Sequence, residues 1–158
     1  MAQLDPAFSD VLARFALEEL AQADETIYAI DSDLRLRFTN DGWDAFALNN
    51  GGAAVLDTWP LGRCILEAIP EAIRGFYIDG FARAAATGTV FQHTYQCPSP
   101  ELARTFRMSA YPLERRGWLV AYGHDVMDRP TPYGCTPDDL DRVLRLARTA
   151  GLEILPVG

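Results

Sequence analysis

Residues 25–46, ETIYAIDSDLRLRFTNDGWDAF, constrain the fold more tightly than any other stretch of the chain. Ile27, Ala29 and Asp31 alternate with Thr26, Tyr28 and Ile30, the period-two pattern of a strand with two unlike faces. Ser32-Asp33 supplies turn chemistry, after which Leu34, Leu36 and Phe38 alternate with Arg35, Arg37 and Thr39. Asn40 follows as a helix N-cap, its side-chain oxygen suited to accept from a backbone N–H of the first turn. The segment therefore predicts a β-hairpin running directly into a helix.

Downstream, a turn at Leu61-Gly62-Arg63 leads through the apolar segment 64–69 to Pro70. Residues 71–87 predict a helix with Ile73, Phe76, Tyr77, Phe81 and Ala84 on one side, closed by Gly88. Three strand-like runs follow at 89–97, 103–112 and 117–126. At the N-terminus, Asp5-Pro6 is a helix start, and Phe8, Val11, Leu12, Phe15 and Leu20 make an apolar stripe over residues 6–23. That stripe needs a partner, which is either a second copy of the chain or its own sheet. At the other end Thr136-Pro137-Asp138-Asp139 starts a helix with Leu140, Val143, Leu144 and Ala147 on its apolar face and Gly151 at its end.

The order of these elements resembles the PAS domain family. In that family an apolar strand, an Asp-containing turn, a second strand and an Asn followed by an aromatic helix open the domain, and the matching residues here are Asp31, Asn40, Trp43 and Phe46. Asp125-Val126-Met127-Asp128-Arg129 is similar to the closing signature of the family, with Met127 where Thr is usual. The resemblance covers residues 24–129 and implies an α+β fold: a five-stranded antiparallel sheet with helices on one face, plus N- and C-terminal helices over residues 1–23 and 130–158. It also implies a bacterial-type sensory role in signal transduction, with a small-molecule ligand, a homodimer made through the N-terminal helix and a protein signalling partner, and no enzyme activity.

Composition narrows the alternatives. The 158 residues, 49% of them hydrophobic, suffice for one domain with a substantial core. No run approaches the roughly 18 apolar residues of a membrane span, and MAQLDPAFSD lacks the regions of a secretory signal, so a cytoplasmic location is expected. A formal charge of −8 with scattered basic residues argues against a nucleic-acid partner. All 14 basic residues are Arg, which excludes Schiff-base chemistry and a lysine-dependent phosphate loop. Cys64, Cys97 and Cys135 are odd in number and widely spaced, so neither a disulfide framework nor a zinc site is expected.

Alternation places Phe91, His93, Tyr95 and Cys97 on one strand face, Phe106, Met108 and Ala110 on the next, and Trp118, Val120, Tyr122 and His124 on the last. Together with Tyr28, Phe38, Trp43, Phe46, Trp59 and Phe76, these line a candidate aromatic cavity with a few polar handles, the usual composition of a small-molecule site. The alternative is that the same rings simply fill the core, leaving a ligand-free interaction and dimerisation module. His93 is in phase to ligate haem or to hydrogen-bond an organic ligand, although a core histidine is the simpler reading, and residues 71–87 lack the histidine that haem-binding relatives carry on the long helix. Gly62-Arg63-Cys64 resembles the flavin-binding branch but lacks its Asn, places Cys one position early and has Ile65-Leu66 for Arg-Phe, so a flavin adduct is not expected. A proton-transfer enzyme would need a carboxylate such as Asp31 or Glu67 beside Tyr95 or Tyr122.

Overall fold

A computed structural model of the chain describes residues 1–50, 53–96, 105–113, 116–126, 134–135 and 137–151. In chain order the elements are β1 (Gln3–Leu4), a 3-10 turn (Pro6–Phe8), α1 (Ser9–Leu12), α2 (Leu17–Ala21), β2 (Thr26–Asp31) and β3 (Leu36–Thr39). Then come α3 (Asp41–Asn50), α4 (Ala53–Thr58), a 3-10 turn (Ile65–Ala68) and α5 (Glu71–Thr87). The chain continues with β4 (Phe91–Gln96), β5 (Thr105–Pro112), β6 (Gly117–Val126), β7 (Gly134–Cys135) and α6 (Pro137–Thr149). Cys97, the Met127-Asp128-Arg129 part of the closing signature and Thr136 lie outside the described residues.

The five expected strands form an antiparallel sheet in the order β3-β2-β6-β5-β4, so the first hairpin inserts beside the last strand. Two-residue β1 extends the sheet beyond β3, and β7 pairs in parallel with β6. The turn of the hairpin is built by Asp31, whose Oδ1 accepts from the backbone N–H groups of Asp33 and Arg35 at 2.9 and 3.0 Å. Its Oδ2 accepts from Arg37 Nε at 2.7 Å, and Arg37 Nη1 reaches Asp5 Oδ2 at 2.6 Å, fastening the N-terminal segment to the hairpin.

Asn40 caps α3 and does more. Its Oδ1 accepts from Trp43 N and from Ile27 N, each at 2.9 Å, while Nδ2 donates to the carbonyls of Ala23 and Glu25. The side chain is fully buried, so one amide joins the N-terminal segment, β2 and the start of α3.

Helices α3–α5 cover one face of the sheet, and the N-terminal segment covers the other. On one side α5 buries Tyr77, Gly80, Phe81 and Ala84 in a core with Tyr28, Ile30, Leu36, Met108, Trp118 and Val120. On the other, Phe8, Val11, Leu12, Phe15 and Leu20 pack on Ile27, Ala29, Phe38 and Leu119 of the same chain. The N-terminal stripe thus lies on its own sheet, and the expected continuous helix over residues 6–23 is broken into a 3-10 turn and two short helices. The breaks let the segment bend across the twisted sheet while keeping the stripe buried. Within α5, Ile73 and Phe76 are 45% and 50% exposed, at the margin of the stripe rather than within it.

Candidate functional site

Strand alternation decides what faces α3–α5. Tyr28 on β2, Met108 on β5 and Val120 on β6 point to that side, whereas Ile27, Ala29 and Leu119 point to the N-terminal segment. Phe38 is a correction to the expected lining. In the β2–β3 pairing Ala29 faces Phe38 but Ile30 faces Leu36, so Arg37 is a bulged residue. The bulge reverses the alternation, leaving Leu36 toward α5 and Phe38 in the opposite core.

Between the sheet and α3–α5 lies a cavity with two lobes. The smaller, of about 290 Å³, is lined by Thr26, Tyr28, Trp43, Phe46, Ala47, Trp59, Ile65, Ala68, Tyr95, Phe106 and Tyr122. The larger, of about 460 Å³, shares Tyr28, Ile65, Ala68, Tyr95 and Tyr122 and adds Ile69, Pro70, Ile73, Tyr77, Phe81, His93 and Met108. Nine of the twelve expected site residues therefore line it: Tyr28, Trp43, Phe46, Trp59, His93, Tyr95, Phe106, Met108 and Tyr122. Phe76 and Phe91 instead line a separate groove of about 380 Å³ with Gly80 and Arg83, at the outer edge of the sheet.

Missed by sequence reasoning were Ile65, Ala68, Ile69 and Pro70, which enter from the 3-10 turn and its exit. Their signal was present as an apolar run ending in proline, but a run that short does not tell a cavity wall from a core plug. Tyr77 and Phe81 belonged to the recognised stripe of α5 and also reach the larger lobe.

The rings are arranged in contacts of favourable geometry. Tyr28 meets Trp43 edge-on at 5.3 Å, Phe46 meets Phe106 edge-on at 5.7 Å, and Tyr95 stacks on Phe106 at 5.8 Å. His93 stacks on Tyr95 at 5.6 Å and meets Phe76 and Tyr77 edge-on. Trp59 is held by Arg63, whose guanidinium lies 5.0 Å from the ring centroid while donating to Thr58 O and Glu67 Oε2.

At the junction of the lobes the hydroxyls of Tyr28 and Tyr122 are 3.3 Å apart, and Tyr122 also pairs with Tyr95. Burial disfavours the phenolate and pushes both Tyr28 and Tyr122 well above the ordinary tyrosine value, so the pair is neutral at physiological pH. Asp31 is engaged in the hairpin turn and Glu67 pairs with Arg63, and neither is among the lining residues. The carboxylate–tyrosine pairings that proton transfer would need are therefore not brought together. Cys64 bridges to Arg35 in the backbone and is half-buried outside both lobes. The side chain of His124 lies outside the described residues. Among the described residues no cluster of metal-ligating side chains occurs, and no helix is long and apolar enough to cross a membrane.

No family model and no curated protein matches the sequence. Solved structures do align. A domain of an HTR-like protein from Haloarcula marismortui matches at 13% identity over 63% of this chain and 94% of its own, with a TM-score of 0.42. The photoactive yellow protein domain of the sensor histidine kinase Ppr from Rhodospirillum centenum matches at 11% identity over 75% and 98%, with a TM-score of 0.45. The PAS domain of BvgS from Bordetella pertussis matches at 17% identity over 89% and 92%, with a TM-score of 0.44. On its own element order, with hairpin, helical cover, long helix and three returning strands around one sheet, the fold is PAS-like.

Proposed function

We propose that the chain is a cytoplasmic sensory module of signal transduction that binds a small apolar or aromatic molecule in the two-lobed cavity and relays occupancy to a protein partner. The observation that carries this reading is the lining itself. Rings and aliphatic side chains line lobes of ligand size, with four tyrosine hydroxyls, the Thr26 hydroxyl and one imidazole among the polar handles. A pure packing role would leave no reason for such volume, since cores are close-packed.

Relay follows from β2. Tyr28 faces the cavity while its neighbours Ile27 and Ala29 contact the N-terminal segment, so a ligand that prefers one position of β2 biases both faces of the sheet. Asn40 adds a second link, because the same side chain holds Ala23 and the first turn of α3. With the N-terminal stripe buried, homodimer formation would use another surface, and half-exposed Ile73 and Phe76 on α5 are the apolar candidates. The same exposed pair supports the second reading, a ligand-free interaction module.

Native mass spectrometry and an absorption spectrum of the freshly purified protein, with light scattering for its oligomeric state, test these readings. A released small molecule, or a mass shift on incubation with aromatic compounds that is lost in Phe106→Ala, is expected. A Soret band that disappears in His93→Ala would replace the proposed ligand with haem. A protein that takes up nothing but self-associates through Ile73 and Phe76 would refute the sensor reading in favour of the interaction module.

A further inference from the structure

The two edges of the sheet are finished differently. At one, β1 pairs with β3 and the bond from Asp5 N to Arg37 O continues the ladder, leaving only a two-residue strand outermost. A very short outer strand is one way in which proteins blunt an edge. At the other edge β4 presents its full length. It pairs with β5 through six consecutive partners without a bulge, and among the described residues no further backbone hydrogen bond reaches its outer side. Its sequence, Phe91-Gln92-His93-Thr94-Tyr95-Gln96, holds no Asp, Glu, Lys, Arg or Pro, the residues that commonly block further pairing. β4 is thus an open template for one more strand.

Helix α5 indicates which strand that is. It lies over both β4 and β5, so its axis runs about half a strand spacing inside the edge. Strands are about 4.8 Å apart, and a second copy that adds its own β4 antiparallel across a twofold axis sets the two α5 axes about 10 Å apart, a separation at which helices pack. The sides that then meet are complementary. Phe76, Asp79 and Arg83 recur at i, i+3 and i+7 along α5. Phe76 meets Phe91 and His93 edge-on and Arg83 lines the groove beside Phe91, which puts this stripe on the edge side of the helix. All three are exposed, and neither Asp79 nor Arg83 has an ion-pair partner among the described residues. Antiparallel helices exchange the ends of such a stripe, so Asp79 of each copy comes opposite Arg83 of the other. A chain of charge −8 repels its own copies in general, whereas this strip is uncharged on the strand and balanced on the helix.

Resting on the proposed homodimer, we infer that two copies join edge to edge through β4, forming one continuous antiparallel sheet with two Asp79–Arg83 ion pairs beside the seam. Sedimentation equilibrium of the full chain tests this, with the melting temperature of each variant as the check on folding. Arg83→Asp should weaken the dimer about tenfold, the effect of two exposed ion pairs lost, and adding Asp79→Arg should restore it by exchanging the two charges. Gln92→Lys, at an exposed position of β4, sets like charges near one another in the seam and should weaken the dimer as well. A dimer indifferent to both Arg83→Asp and Gln92→Lys refutes the edge contact but leaves the homodimer, made through another surface. A chain that stays monomeric at its highest soluble concentration overturns both, and leaves β4 to an extended segment of a different protein.

Discussion

Replacing Asn40 should unfasten three parts of the molecule together. In Asn40→Ala the N–H groups of Ile27 and Trp43 and the carbonyls of Ala23 and Glu25 lose their side-chain partners, four hydrogen bonds at 2.7–2.9 Å. At about 1 kcal/mol each, with the groups left in a largely buried site, the loss is about 4 kcal/mol. That is a large share of the roughly 5–15 kcal/mol by which domains are stable, and it lowers Tm by about 10 °C. Asn40→Asp provides the sharper control. A carboxylate keeps the two N–H bonds but turns an oxygen toward the Ala23 and Glu25 carbonyls, where the amide nitrogen had donated. Protonation restores one donor, so the folded-state pKa of this Asp must rise above its unfolded value of about 3.9. A raised acid is tolerated below the unfolded pKa and destabilises as pH climbs through the folded one. Urea unfolding of the unaltered chain and both variants across acid to neutral pH reads this directly: the Asn40→Asp deficit should be smallest in acid and grow toward neutrality, while the Asn40→Ala deficit stays level. An Asn40→Ala loss below about 1 kcal/mol, or an Asn40→Asp deficit that ignores pH, would refute the reasoning.

Two further perturbations separate packing from propensity and burial from exposure. A Cβ at Gly80 would meet the Phe91 ring at 2.3 Å, whereas one at Gly75, on the same helix, meets nothing within 4 Å. Gly80→Ala should therefore destabilise by about 1–2 kcal/mol despite the better helix propensity of alanine, and Gly75→Ala should stabilise by about 0.5–1 kcal/mol; calorimetric melting of both variants would contradict the packing if the signs agree. Of the six tyrosines, Tyr28, Tyr77, Tyr111 and Tyr122 are all raised by burial, so they should ionise above the ordinary value of 10.0, the most buried of them only as the fold is lost. Their neutral form stabilises the fold below that pH and the contribution disappears above it, and a single reversible step of all six in a phenolate absorbance titration would show the junction to be wet.

Much of this arrangement was legible where one period dominates. The strands at 91–96, 105–112 and 117–126 and the helix at 71–87 follow from alternation and from a 3.6-residue stripe, and alternation also put Tyr95, Phe106 and Tyr122 on one face. Phe38 failed because alternation assumes an unbroken ladder, and the Arg37 bulge interrupts it. The N-terminal stripe was visible, yet an apolar stripe says only that it will be covered. The Arg37–Asp5 ion pair and the β1–β3 pairing bring it to its own sheet, and both are contacts across more than thirty residues in sequence.

The tyrosine junction was beyond alternation for a different reason. Facing depends on parity, but meeting depends on register, and a slip of two residues keeps every face while moving Tyr122 away from Tyr28. In the observed register Thr26 lies opposite Tyr122 and Tyr28 opposite Val120, which makes the two tyrosines diagonal neighbours with rings stacked at 5.8 Å. Gly117 stabilises that register. It sits opposite Asp31 with φ of +147°, and a Cβ there would meet Ile30 O at 1.9 Å. Only glycine permits β6 to start so close to the end of β2, and each later pair in the ladder, including the one that sets the two hydroxyls together, is counted from that contact.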